Sequence, residues 1–116
     1  MLEERRMKKY IREAILSVKE LIDNRPLLKK SITDLANEAG IGRNILQKGF
    51  KELFKTTIKE YRTRRCMEKA RLMLEEGRLS RKQIAYHCGY TSASNFSTAF
   101  KKVFGITPMQ YKEQYC

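Results

Sequence analysis

Apolar positions in this chain fall at helical spacing almost from end to end. Over residues 3–24 they are Met7, Ile11, Ala14, Ile15, Val18, Leu21 and Ile22, the 3.6-residue period of one amphipathic helix. Asn24 and Pro26 end it. Its stripe either covers the core of the helices next in the chain, or forms a dimer seam or a connector to an upstream domain. The stripe spans barely two heptads and a coiled coil needs about 3–4, which favours the core.

The pattern beyond Pro26 occurs twice. Ser31, Leu35, Ala36, Ala39 and Gly40 reappear as Ser80, Ile84, Ala85, Cys88 and Gly89, at an offset of 49 residues. One extra residue then shifts the offset to 50, and Leu46, Phe50, Leu53, Phe54, Thr57 and Tyr61 reappear as Phe96, Phe100, Val103, Phe104, Thr107 and Tyr111. Ser31 with Asp34 resembles a capping box, and Ser80 with Gln83 completes one. Each opens a short helix, 31–39 and 80–88, that turns Leu35 and Ala36, or Ile84 and Ala85, inward. Gly40 and Gly89 let that helix stop in the left-handed conformation. A second helix comes next, over 43–54 and 93–104. Helix, glycine turn, helix, with a small residue just before the turn, is the sequence form of a helix-turn-helix.

Between the copies, Ile58, Tyr61, Met67, Ala70, Met73 and Leu74 mark the inner side of one long helix, 57–76. At 1.5 Å per residue it is about 28 Å long, near the ~34 Å of one DNA turn. Thr107 and Pro108 suit the N-cap and first position of a last short helix carrying Tyr111.

The outward faces of the second helices point to a partner. In the first copy the face is Arg43, Asn44, Gln47, Lys48, Lys51 and Lys55; in the second it is Ser94, Asn95, Ser97, Thr98 and Lys101. Glu52 is the exceptional acid. Amides, hydroxyls and ammonium groups can donate to base edges and phosphates, which would repel carboxylates. Net charge agrees: 25 Lys and Arg against 13 Asp and Glu give +12, which favours nucleic acid over an anionic membrane surface. No apolar run approaches the ~18 residues of a membrane span, and the charged N-terminal stretch does not read as a signal peptide. One histidine, His87, permits no Ser/His/Asp or Cys/His constellation and reads as a surface residue. The three cysteines, Cys66, Cys88 and Cys116, form no CxxC pair and read as reduced thiols; a redox switch is the alternative.

The motifs I-A-x-x-C-G-Y and S-x-F-S-x-x-F-x-x-x-F-G-x-T-P-x-x-Y run through Ile84, Ala85, Gly89, Tyr90, Ser94, Phe96, Phe100, Phe104, Gly105, Pro108 and Tyr111. They resemble the DNA-binding domain of AraC/XylS-family bacterial transcription regulators, over residues 8–112. That resemblance implies an all-α, seven-helix fold with two homeodomain-like helix-turn-helix units joined by a long central helix. The expected division is 1–56 for the first unit with its leading helix, 57–79 for the linker helix and 80–116 for the second unit. It implies two recognition helices in successive major grooves of double-stranded DNA, gene activation through RNA polymerase, and no catalysis, cofactor or metal.

Base contacts are expected from Arg43, Asn44, Gln47, Lys48, Ala93, Ser94, Asn95, Ser97 and Thr98. Phosphate contacts are expected from Ser31, Lys51, Lys55, Arg62, Arg65, Ser80, Arg81, Lys101 and Lys102. A cytoplasmic location is expected as well, and the chain reads either as a stand-alone regulator or as the C-terminal part of a larger one, with an upstream effector or receiver domain absent from this chain. The alternative is a non-specific or architectural nucleic-acid binder. Three residues depart from the pattern, and one of them, Cys66, sits where a basic residue is common. Lys55 stands where the second copy has Gly105, and Gly49 sits inside the first recognition helix, at about 0.5–1 kcal/mol in helix propensity. The second recognition face also lacks Arg, so docking is expected of it more than base reading.

Overall fold

A computed structural model of the chain describes residues 7–116, and the first apolar stripe there becomes α1 (Lys9–Asn24). The expected start was residue 3; residues 3–6 lie outside the described residues, and Met7 and Lys8 precede the helix in non-helical backbone. No acid occupies the first turn of α1, and Lys8 at its N-cap makes no side-chain bond. Ala14, Ile15, Val18 and Ile22 are buried, so the stripe serves the core.

The remaining elements are α2 (Ile32–Ala39), α3 (Arg43–Phe54), α4 (Ile58–Glu76), α5 (Arg81–His87), α6 (Ala93–Phe104) and α7 (Pro108–Tyr115). All seven elements among the described residues are α-helices, as the sequence pattern predicts. The fold divides into two compact units, one running to Tyr61 and one from Arg62 to Cys116. The boundary falls inside α4, after its first turn.

In the first unit, α1, α2 and α3 close on Ile15, Leu35, Leu46 and Phe50, with Ile41 and Ile58 completing the core. Full burial of side chains of this size stabilises by about 1.5–3 kcal/mol each. Phe50 stacks at 4.8 Å from Phe54 and 5.6 Å from Tyr61, centroid to centroid. In the second unit Phe100 does the same with Phe104 at 4.6 Å and Tyr111 at 6.0 Å.

The duplication reaches further than the sequence motif. At an offset of 52, Ala14, Ile15, Val18 and Ile22 of α1 match Cys66, Met67, Ala70 and Leu74 of α4, and all eight are buried. Residues 62–76 of α4 are therefore to the second unit what α1 is to the first.

Candidate nucleic-acid interface

Each recognition helix is held at both ends. At the front, Ser31 caps α2 by accepting from the Asp34 amide at 3.0 Å. Ser80 caps α5 with a full capping box, its side chain accepting from the Gln83 amide while Gln83 Oε1 accepts from the Ser80 amide. Gly40 and Gly89 take φ of 76° and 86°. The next residue's amide then bonds back, Ile41 to the Ala36 carbonyl at 3.1 Å and Tyr90 to Ala85 at 3.0 Å. That reversal turns the chain directly into α3 and α6. The extra residue of the second copy falls in this turn, where Ser92 becomes the cap of α6; Gly42, in the same place before α3, offers no side-chain cap.

At the back, both helices end on a left-handed residue, Lys55 (φ 62°) and Gly105 (φ 83°). Behind them lies a clamp that the sequence does not announce. Lys19 pairs with Asp23 at 2.9 Å and lies 5.5 Å from the Phe54 ring, and the Tyr61 hydroxyl donates to Asp23. In the second unit Arg71 lies 4.0 Å from Glu75 and 5.3 Å from the Phe104 ring, and the Tyr111 hydroxyl donates to Glu75. Burial, then the bond to Asp23, pushes the Tyr61 phenol above its ordinary value. The bond to Glu75 pushes Tyr111 up to about 12. Cation, carboxylate, ring and phenol thus tie the tail of each recognition helix to its leading helix.

Between these ends, Arg43, Asn44, Gln47, Lys48, Lys51 and Lys55 are all exposed. On α6, Ser94, Asn95, Thr98, Lys101 and Lys102 are exposed, while Ala93 and Ser97 are half-buried. Each unit thus collects its own expected residues on the open side of its recognition helix. Some are already engaged. Arg43 Nη1 donates to Thr33 Oγ1 at 3.5 Å, and the Thr98 hydroxyl donates to the Ser94 carbonyl at 3.1 Å.

Ser31, Ser80 and Arg81 are exposed at the starts of α2 and α5. Asp34 sets a negative charge beside Ser31, whereas neutral Gln83 stands in the matching position. Arg62 and Arg65 are half-buried on α4, and the Arg65 guanidinium pairs with Glu68.

One residue of the face escapes a search for polar readers. Ile45 is 47% exposed and occupies, in the repeat, the position of Asn95. An aliphatic side chain there suits a thymine methyl. Its signal in the sequence is an apolar residue off the buried stripe.

Residues 35–114 match the model of the family described as a helix-turn-helix domain. The chain is 32% identical over 100 residues to the xylose operon regulatory protein of Escherichia coli K12, a match that covers 86% of this chain and 26% of that protein. It therefore spans about a quarter of that relative's length. It is 37% identical over 83 residues to a protein named as probable transcription factor PqrA of Proteus vulgaris, covering 71% of this chain and 67% of that one.

Among solved structures, a transcriptional regulator of Chromobacterium violaceum with an AraC-type DNA-binding domain superposes with a TM-score of 0.80 at 26% identity, over 89% of this chain and 92% of that one. The C-terminal domain of the response regulator AraT from Geobacillus stearothermophilus does so at 0.73 and 26%, over 94% and 88%. No helix among the described residues is long and apolar enough to cross a membrane. The chain belongs to the AraC/XylS-type helix-turn-helix family, whose members are DNA-binding domains of transcription regulators rather than enzymes.

Proposed function

We propose that this chain reads a promoter sequence with α3 and α6, placed in successive major grooves of one duplex, and that it activates transcription in the bacterial cytoplasm through contact with RNA polymerase. Residues 1–56 and 80–116 act as the two readers and 57–79 as the helix that joins them. Arg43, Asn44, Gln47 and Lys48 do most of the base reading, and Ala93, Ser94, Asn95, Ser97 and Thr98 set position and spacing. Ser31, Lys51, Lys55, Arg62, Arg65, Ser80, Arg81, Lys101 and Lys102 hold phosphates. An effector or receiver domain belongs upstream, in keeping with the fraction of the relatives' length that the chain spans.

The observation that carries this reading is the exposed Asn, Gln and Lys face of α3, acid-free but for Glu52, on a helix presented by a capped helix and a left-handed turn. Selection of bound sites from a random duplex pool tests it. Two short boxes about one turn apart support two-groove reading, and a lone box or a long palindrome overturns it. The net charge of +12 favours a second reading, sequence-independent binding. That reading predicts no enrichment of any box at any salt concentration.

A further inference from the structure

Two of the three cysteines meet inside the second unit. Cys66 is buried on α4, and its Sγ lies 3.9 Å from the carbonyl oxygen of Cys88, the residue that closes α5. Cys88 is half-buried, so a small reagent can reach it. Burial first, then the charges of the two thiols, raises the Tyr90 phenol above its ordinary value. The first unit supplies the comparison. The matching residues are Ala14, 8% exposed on α1, and half-buried Ala39 at the end of α2. Small side chains are what this place in the fold takes. In the second unit both places are filled by thiols of similar small size.

We propose that Cys66 and Cys88 form a reversible disulfide that ties α4 to the end of α5, directly ahead of the turn into α6. A disulfide spans Cα atoms about 4.4–6.8 Å apart, and the Cys66 Sγ already lies 3.9 Å from the backbone of Cys88. A peroxide is the oxidant. One thiolate attacks the peroxide oxygen and releases water, leaving a sulfenic acid. The second thiolate displaces the hydroxyl from that sulfur as a second water. In all, the two thiols give up two protons and two electrons: the peroxide takes the electrons, and the protons turn its two departing hydroxides into water. Cys116, exposed near the chain end, lies outside the pair.

The test uses the chain carrying Cys116→Ser, treated with hydrogen peroxide in its folded state and digested with trypsin. The expected product joins residues 66–69 to residues 83–101, disappears on treatment with dithiothreitol, and is absent from Cys66→Ala, a change to the residue the first unit already uses. It should form about tenfold faster, or more, than in denaturing urea, because the fold holds the partners together. Both thiols free after treatment, or equal rates in urea, would overturn the proposal. The readout is covalent and owes nothing to DNA binding, so its failure leaves the promoter-reading function standing.

Discussion

Lys55 is the one non-glycine residue with positive φ among the described residues, at φ 62° and ψ 22°. Its amide bonds to the Lys51 carbonyl at 2.8 Å, as that of Gly105 bonds to Lys101 at 2.7 Å. The two helix ends are the same cap, with a side chain on one and none on the other. A left-handed conformation costs an L-residue about 1–2 kcal/mol. Glycine relieves that cost but brings about 0.4–1 kcal/mol of extra unfolded-chain entropy.

Comparing Lys55→Gly with Lys55→Ala removes the charge from both sides and leaves the difference, about 0.5–1 kcal/mol in favour of glycine. In a unit of this size that is roughly 2–8 °C in Tm, read by circular dichroism. Inside an ordinary helix the order is reversed, with alanine the more stable, so the sign alone decides. Gly105→Ala should lose a similar amount. A Cβ there meets nothing within 4 Å, so the whole loss is conformational. Both Lys55 variants should lower the salt dependence of DNA binding equally, by about one unit of slope, for one phosphate contact. Alanine at residue 55 matching or exceeding glycine in Tm would refute the strain argument.

Other substitutions probe the same geometry. Asn44→Ala and Gln47→Ala should each cost about 1–3 kcal/mol on the preferred site and relax its sequence, while Lys51→Ala weakens all duplexes alike; competition binding against shuffled sites separates the two. Gly49→Ala gains up to about 1 kcal/mol of helix propensity but sets a Cβ 2.3 Å from Ile15 Cδ1. Ile15 is wholly buried, so overpacking of about 1–3 kcal/mol should win. Ile15→Val removes that methyl and should make the double variant more stable than the sum of the singles, in urea melts. The Tyr111 pKa is raised in the folded state, so its bond to Glu75 stabilises below pH ~10 and is lost as pH climbs toward about 12. Tyr111→Phe should flatten that alkaline loss of stability, and an unchanged alkaline profile would count against the clamp.

Gly49 shows how a local reading reaches its limit. By propensity it is only a cost inside α3, yet α1 approaches so closely that a methyl group meets Ile15. The expected first helix is similar: its apolar period is correct, but a stripe marks no start, and Lys8 at the N-cap makes no side-chain bond. The recognition face itself is legible, because a buried stripe leaves the opposite side of a helix exposed whatever packs against it. Ile45 is not, because polarity marks a donor or acceptor and says nothing of a methyl contact.

The properties that the chain's sequence determines by itself are local and periodic. Spacing places α3 and α6 at residues 43–54 and 93–104. Ser80, Thr107 and the glycines mark their own caps and turns, because those bonds form within a few residues. The tertiary structure decides what joins residues far apart: Tyr61 to Asp23, Tyr111 to Glu75, and Cys66 to Cys88. Those pairs lie 38, 36 and 22 residues apart. No period of 3.6 can announce them; they exist only once each leading helix has crossed its helix-turn-helix and brought its side chains within bonding distance.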